Sequence, residues 1–166
     1  MKDGLAPILI FGYGNPSRGD DALGPKLIER LEQRKARGAL SDLDLLTDFQ
    51  LQVEHALDLQ GRERVIFVDA GISFEGPFRL TPAHPAEDSS YTTHAMSPSA
   101  VLRVLELMTG AQPPPCELLA IRGYGFALGA PLSDRAAKNL DLAERFLLQA
   151  FRVSSNLDQV VETTER

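Results

Sequence analysis

The sequence predicts an α/β fold. The expected architecture is a three-layer sandwich, with a five-stranded, mostly parallel twisted sheet, one antiparallel edge strand and helices on both faces. Three observations predict it. Continuous apolar runs such as Ile8-Leu9-Ile10-Phe11 and Val65-Ile66-Phe67-Val68 read as strands buried on both faces, as a parallel sheet requires. Helical patterns alternate with these runs. Only a few residues, Gly71 and Gly76 among them, separate the third strand from the fourth. A parallel crossover needs roughly a dozen, so the fourth strand is expected to be antiparallel.

The first strand closes at Gly12, and a polar, glycine-rich turn leads into a helix over Leu23 to Lys35. Pro25 suits the first helical turn, Leu27, Ile28 and Leu31 share one stripe, and Gly38 is a stop signal. Leu43 to Phe49 is the second strand. Val53 to Leu59 reads as a short helical turn presenting Val53, Ala56 and Leu57 together. The third strand ends at Asp69, and the fourth covers Gly76 to Leu80. The polar segment Thr81 to Ser97 then brings the chain back across the sheet. Pro98 opens a helix with Val101, Leu102, Leu105 and Met108 on one face, ending near Gly110. Glu117 to Ile121 is the fifth strand, and Ser133 caps a long amphipathic helix reaching Phe151. Residues 5–152 thus read as one domain and residues 153–166 as a frayed polar tail.

The composition narrows the function. The 166 residues are 43% hydrophobic and 24% charged, which is globular. The 17 basic residues against 23 acidic ones give a net charge of -6, which disfavours phosphate-backbone binding and hence a nucleic-acid partner. The single cysteine, Cys116, excludes a disulfide framework and a zinc site built on paired thiolates. The longest apolar run, Pro7 to Phe11, is far short of the roughly 18 residues a membrane span needs. Met1-Lys2-Asp3-Gly4 has no signal-peptide core. A cytoplasmic monomer without a membrane partner is expected.

In open α/β sheets, ligands bind beyond the carboxyl ends of the strands. Asp20 and Asp21 follow the first strand, Asp48 the second and Asp69 the third, while His94 ends the return segment. Two carboxylates and an imidazole suit a borderline divalent ion with open positions, where bound water becomes a nucleophile near neutral pH. Plainer roles compete with this reading. Asp20 above all, but Asp21 too, suits a helix cap; Asp69 suits a turn, and Asp48 a hydrogen-bonded or solvated turn. His55 and His84 read as surface residues, and Cys116 as buried packing. Other chemistries lack their signatures. There is no His-Glu-x-x-His, no Gly-x-Ser-x-Gly and no phosphate loop. Gly12-Tyr13-Gly14 lacks the third glycine of a dinucleotide fingerprint, and Pro16 intrudes on it.

The combination resembles the NiFe-hydrogenase maturation proteases, the endopeptidases that trim the hydrogenase large subunit. The resemblance rests on Gly12-Tyr13-Gly14-Asn15, Gly19-Asp20-Asp21-Ala22-Leu23-Gly24, Val68-Asp69-Ala70-Gly71 and Thr92-Thr93-His94-Ala95-Met96-Ser97, in order across residues 7 to 150. It implies that Asp21, Asp69 and His94 are the metal-binding and catalytic positions. The implied partner is the precursor of the NiFe-hydrogenase large subunit, cut at its C-terminal extension after nickel insertion. The implied nickel is that of the substrate's active site rather than a permanently held ion. Two departures stand out. The first acid is Asp21 where glutamate is common, and Asp48-Phe49-Gln50-Leu51 replaces an Asp-Gly-Gly segment. The Gln50-Leu51-x-x-Glu54 variant resembles the branch serving NAD-linked bidirectional hydrogenases. Paired aspartates also leave metal-free acid–base catalysis open. A non-catalytic nickel-binding maturation factor and a nucleotide-binding α/β enzyme are the alternatives.

Overall fold

The computed structural model describes residues 4–88 and 95–164, with residues 152–164 described by backbone alone. Five strands, β1 (Ile8–Tyr13), β2 (Leu43–Asp48), β3 (Arg64–Gly71), β4 (Phe78–Ala83) and β5 (Cys116–Arg122), form one sheet in the order β2-β1-β3-β5-β4. All neighbours are parallel except β4 and β5, so the antiparallel strand lies at an edge as expected. Pro82 sits within β4, a position only an edge strand tolerates.

The helices are α1 (Leu23–Ala36), α2 (Ala56–Leu59), α3 (Pro98–Thr109) and α4 (Asp134–Thr164). Strand alternation divides the core between two faces. Ile10, Ile66, Val68, Leu119 and Ile121 pack against Leu27, Ile28 and Leu31 of α1 and Leu140 and Leu147 of α4. Leu9, Phe11, Tyr13, Val65 and Phe67 point the other way, onto Ala56 and Leu59 of α2 and Val101, Leu102 and Leu105 of α3. This is the three-layer arrangement.

Two glycines set how closely α1 approaches the sheet. A Cβ on Gly24 would lie 2.5 Å from the Tyr13 carbonyl oxygen and 2.7 Å from that of Val68. A Cβ on Gly12 would lie 2.5 Å from the Gly24 carbonyl oxygen. The first turn of α1 therefore rests directly on the backbone of β1 and β3.

Several expectations are corrected. α4 runs on through Thr164 instead of ending at Phe151, because no proline or glycine after Ser133 interrupts it. Met108, in the last turn of α3, is exposed, whereas Val101, Leu102 and Leu105 of the same stripe are buried. Val53 and Leu57 face outward while His55, Ala56 and Leu59 are buried. The segment begins as a 3-10 turn over Val53–His55, which rotates the inward face away from that of a continuous α-helix. His55 is thus a core-facing residue rather than a surface one, whereas His84 is exposed.

Candidate active site

Chain order places β2 and β3 on opposite sides of β1, so the connections from β1 and β3 diverge at their carboxyl ends. Such a switch point opens a crevice beyond the sheet. Asp21 lies on the 3-10 turn Gly19–Ala22 that follows β1, and Asp69 lies near the end of β3. Both carboxylates lie at that edge, close enough for the charge of Asp21 to act on Asp69.

Asp21 is held by one clear donor: the Asn15 amide donates to its Oδ2 at 2.7 Å. Gly14, at φ +147°, packs so tightly against the Asp21 backbone that a Cβ there would overlap its carbonyl oxygen. Asp69 continues the row Val65, Phe67 toward the face covered by α2 and α3. Its Oδ1 accepts from the Ala70 amide at 2.8 Å, and the buried Tyr13 hydroxyl donates to the carboxylate from the end of β1. Burial pushes the Asp69 carboxyl up to about 7, and the Asp21 charge adds to the rise. The Ala70 amide and the Tyr13 hydroxyl work against it. Tyr13 is itself pushed well above the usual tyrosine value, by burial first and then by the charge of Asp69. The outcome is a carboxyl that exchanges its proton near neutrality beside a second carboxylate, the pairing acid–base chemistry uses.

His94 lies outside the described residues. Met96 packs on the α2 and α3 side of the sheet and donates its amide to the Leu51 carbonyl at 3.2 Å. Ser97 caps α3, its Oγ accepting from the Ala100 amide at 3.1 Å. The residues just after His94 are therefore anchored on the sheet face toward which Asp69 points. Among the described residues, no three carboxylate, imidazole or thiol groups converge on a common point.

Asp20 takes no part in this crevice. It is fully buried and accepts from the amides of Tyr124 (2.7 Å), Gly125 (3.1 Å) and Ser133 (2.7 Å) and from the Ser133 hydroxyl (2.8 Å). Burial alone would raise its carboxyl, but these donors prevail and hold it below the usual range. Neither Asp20 nor Asp21 caps α1 with its side chain. Asp20 instead ties the loop after β1 to the start of α4, where Ser133 is the cap the sequence predicts.

Asp48 is a hydrogen-bonded turn residue, as expected. Its Oδ1 accepts from the Phe49 amide at 2.7 Å and its Oδ2 pairs with His55 Nε2 at 3.1 Å. Cys116 is buried, donates to the Pro114 carbonyl at 3.0 Å, and is pushed by burial up to about 12, so it supplies no thiolate. Tyr13 and His55 are the site-side residues that motif reasoning missed. Strand alternation places Tyr13 in register with Phe11 on the α2 and α3 face, which was the signal available.

No protein-family model matches the chain, and no curated protein matches it in sequence. Solved structures do match. The hydrogenase maturation protease HycI from Thermococcus kodakarensis superposes with a TM-score of 0.68 at 21% identity, over 89% of this chain and 93% of that one. The hydrogenase maturating endopeptidase HybD from Escherichia coli gives 0.67 at 23% identity, over 89% and 93%. The hydrogenase 2 maturation peptidase from a Thaumarchaeota archaeon gives 0.60 at 20%, over 87% and 97%.

This is the hydrogenase maturation protease fold. At these identities the likeness is one of fold, and it spans nearly the whole of each neighbour. Within this fold, Asp21 and Asp69 lie at the carboxyl edge of the parallel strands, and no helix among the described residues is long and apolar enough to cross a membrane.

Proposed function

We propose that this protein is an endopeptidase that removes the C-terminal extension of a NiFe-hydrogenase large-subunit precursor after nickel insertion, completing its maturation. The observation that supports this most is the meeting of Asp21 and Asp69 at the switch point of a maturation-protease fold. Amide hydrolysis needs a base for the attacking water and an acid for the leaving amine. A carboxyl poised at about 7 is suited to accept the proton from water and return it to the departing nitrogen. Burial keeps that proton affinity high, the charge of Asp21 adds to it, and the Tyr13 hydroxyl orients the carboxylate.

On this reading His94 is the third member of the set, and nickel enters as part of the substrate, where it serves as the recognition element. Oxygen and imidazole donors suit such an ion. A substrate that carries a divalent cation to the carboxylate pair favours both acids charged, which draws Asp69 down from about 7 only when the correct precursor is seated. The Gln50-Leu51-x-x-Glu54 segment supports a partner among the NAD-linked bidirectional hydrogenases, processed in the cytoplasm by a monomeric enzyme.

Incubation of the purified protein with nickel-loaded precursor tests this. The expected result is a precursor shortened at its C-terminus by wild type and left intact by Asp69→Asn. No shortening by wild type, or undiminished shortening by the variant, rejects it.

A further inference from the structure

The turn after β2 contacts both flanks of the candidate site. The Asp48 carbonyl accepts from the Gly14 amide at 3.1 Å, and Gly14 lies directly against the Asp21 backbone. A few residues on, the Leu51 carbonyl accepts from the Met96 amide at 3.2 Å, and Leu51 is fully buried. One short turn therefore spans from the acid-bearing loop to the segment that enters α3.

The shape of that turn depends on His55. Its Nδ1 accepts from the Gln52 amide at 2.8 Å, while its Nε2 faces Asp48 Oδ2 at 3.1 Å. A backbone N–H aimed at Nδ1 requires that nitrogen to be bare, so Nε2 carries the proton and donates to Asp48. Both ring nitrogens are engaged, which leaves His55 neither a free base nor a metal ligand. The ring is buried and meets Phe11 edge-on, with centroids 4.7 Å apart. Asp48, Gln52 and His55 thus close a loop around Leu51. The bond from Gln52 is half of a capping box, with histidine where glutamate or glutamine is usual.

We propose that His55 is a positioning residue for the cleavage reaction. Through Asp48 and Gln52 it fixes the Leu51 carbonyl, and through that carbonyl it sets the start of α3 relative to the loop carrying Asp21. The inference rests on the proposed endopeptidase activity for its kinetic test but not for its structural one.

The kinetic test compares His55→Phe, which keeps the ring against Phe11 but loses both hydrogen bonds, with His55→Asn, whose amide oxygen can still accept from Gln52. His55→Phe is expected to lower kcat on the nickel-loaded precursor at least about tenfold with KM within about twofold, and His55→Asn to recover part of it. Asp48→Ala, altered at a side chain 40% exposed, repeats the comparison should His55→Phe not fold. The structural test is amide exchange at Met96 in the free protein, expected to quicken about tenfold or more in these variants. Wild-type kcat in either folded variant, a loss confined to KM, or unchanged Met96 exchange overturns the proposal. If wild type cleaves no precursor, the endopeptidase reading fails, and Met96 exchange alone still decides whether His55 positions the segment.

Discussion

Asp20 and Asp21 are neighbours in the chain, yet the carboxylate of Asp20 is sealed in the core with four donors upon it, while that of Asp21 is partly exposed with one amide upon it. Asp20 joins the loop after β1 to the loop before α4, and its proton is held off by backbone amides. The charge of Asp21 acts on Asp69 across the switch point and adds to the rise in proton affinity that burial causes there. A carboxylate whose lone pairs are filled by fixed donors holds structure together. One left with capacity to spare beside a second acid is available for chemistry.

Exchanging each aspartate for asparagine breaks or upholds that contrast most directly. Asp21→Asn and Asp69→Asn should slow precursor cleavage by about 10²–10⁴-fold while the proteins still melt cooperatively. Cleavage gels beside thermal melts check this. Asp20→Asn should do the reverse. It replaces an acceptor-only group with one that turns N–H toward N–H, and about 2–4 kcal/mol of stability should go, measured by urea unfolding. Its folded fraction should cleave at the normal rate. If Asp20→Asn instead abolishes cleavage with stability intact, the division of labour is wrong.

The pH dependence sharpens the same comparison. The Asp69 carboxyl sits at about 7 in the fold against roughly 3.9 in an unfolded chain, so the native state binds that proton more tightly. Its contribution favours folding at low pH and is lost as pH rises through 7. Between about pH 5 and pH 8 the wild type should lose up to about 3 kcal/mol from this source, read as a falling Tm. Asp69→Asn should lack that fall. The smallest effect is expected at Cys116, remote from both aspartates in role. Cys116→Ala should leave cleavage unchanged and cost about 1 kcal/mol, which separates acid chemistry from thiol chemistry.

The fold was legible wherever pattern and burial coincide. The apolar runs Leu9-Ile10-Phe11 and Val65-Ile66-Phe67-Val68 can only be strands covered twice, and the α1 stripe Leu27, Ile28 and Leu31 is buried as its spacing requires. The short link from β3 to β4 foretold the antiparallel edge. Of the candidate site, Asp21 and Asp69 were legible as acids following strand ends, and they lie near enough for one charge to act on the other. The donors of Asp20 were not, because they come from residues more than a hundred positions away. His55 was misjudged because its burial follows from a 3-10 turn, a geometry that a 3.6-residue period does not describe. Met108 fits the helical stripe but is exposed in the last turn of α3, and periodicity carries no information on how far along a helix its neighbours reach.

The close seating of α1 on the two central strands has a consequence for how the acids are spaced. Asp21 sits just ahead of Gly24 in the chain, and Asp69 directly follows Val68, whose carbonyl that glycine touches most closely after the Tyr13 carbonyl. Any methyl at position 24 must lift the helix from both strands at once, and the first acid lies on the turn that leads into that helix. The gap between the carboxylates is thus governed by a residue with no side chain at all, and a Gly24→Ala protein should keep both acids yet hold them at the wrong separation.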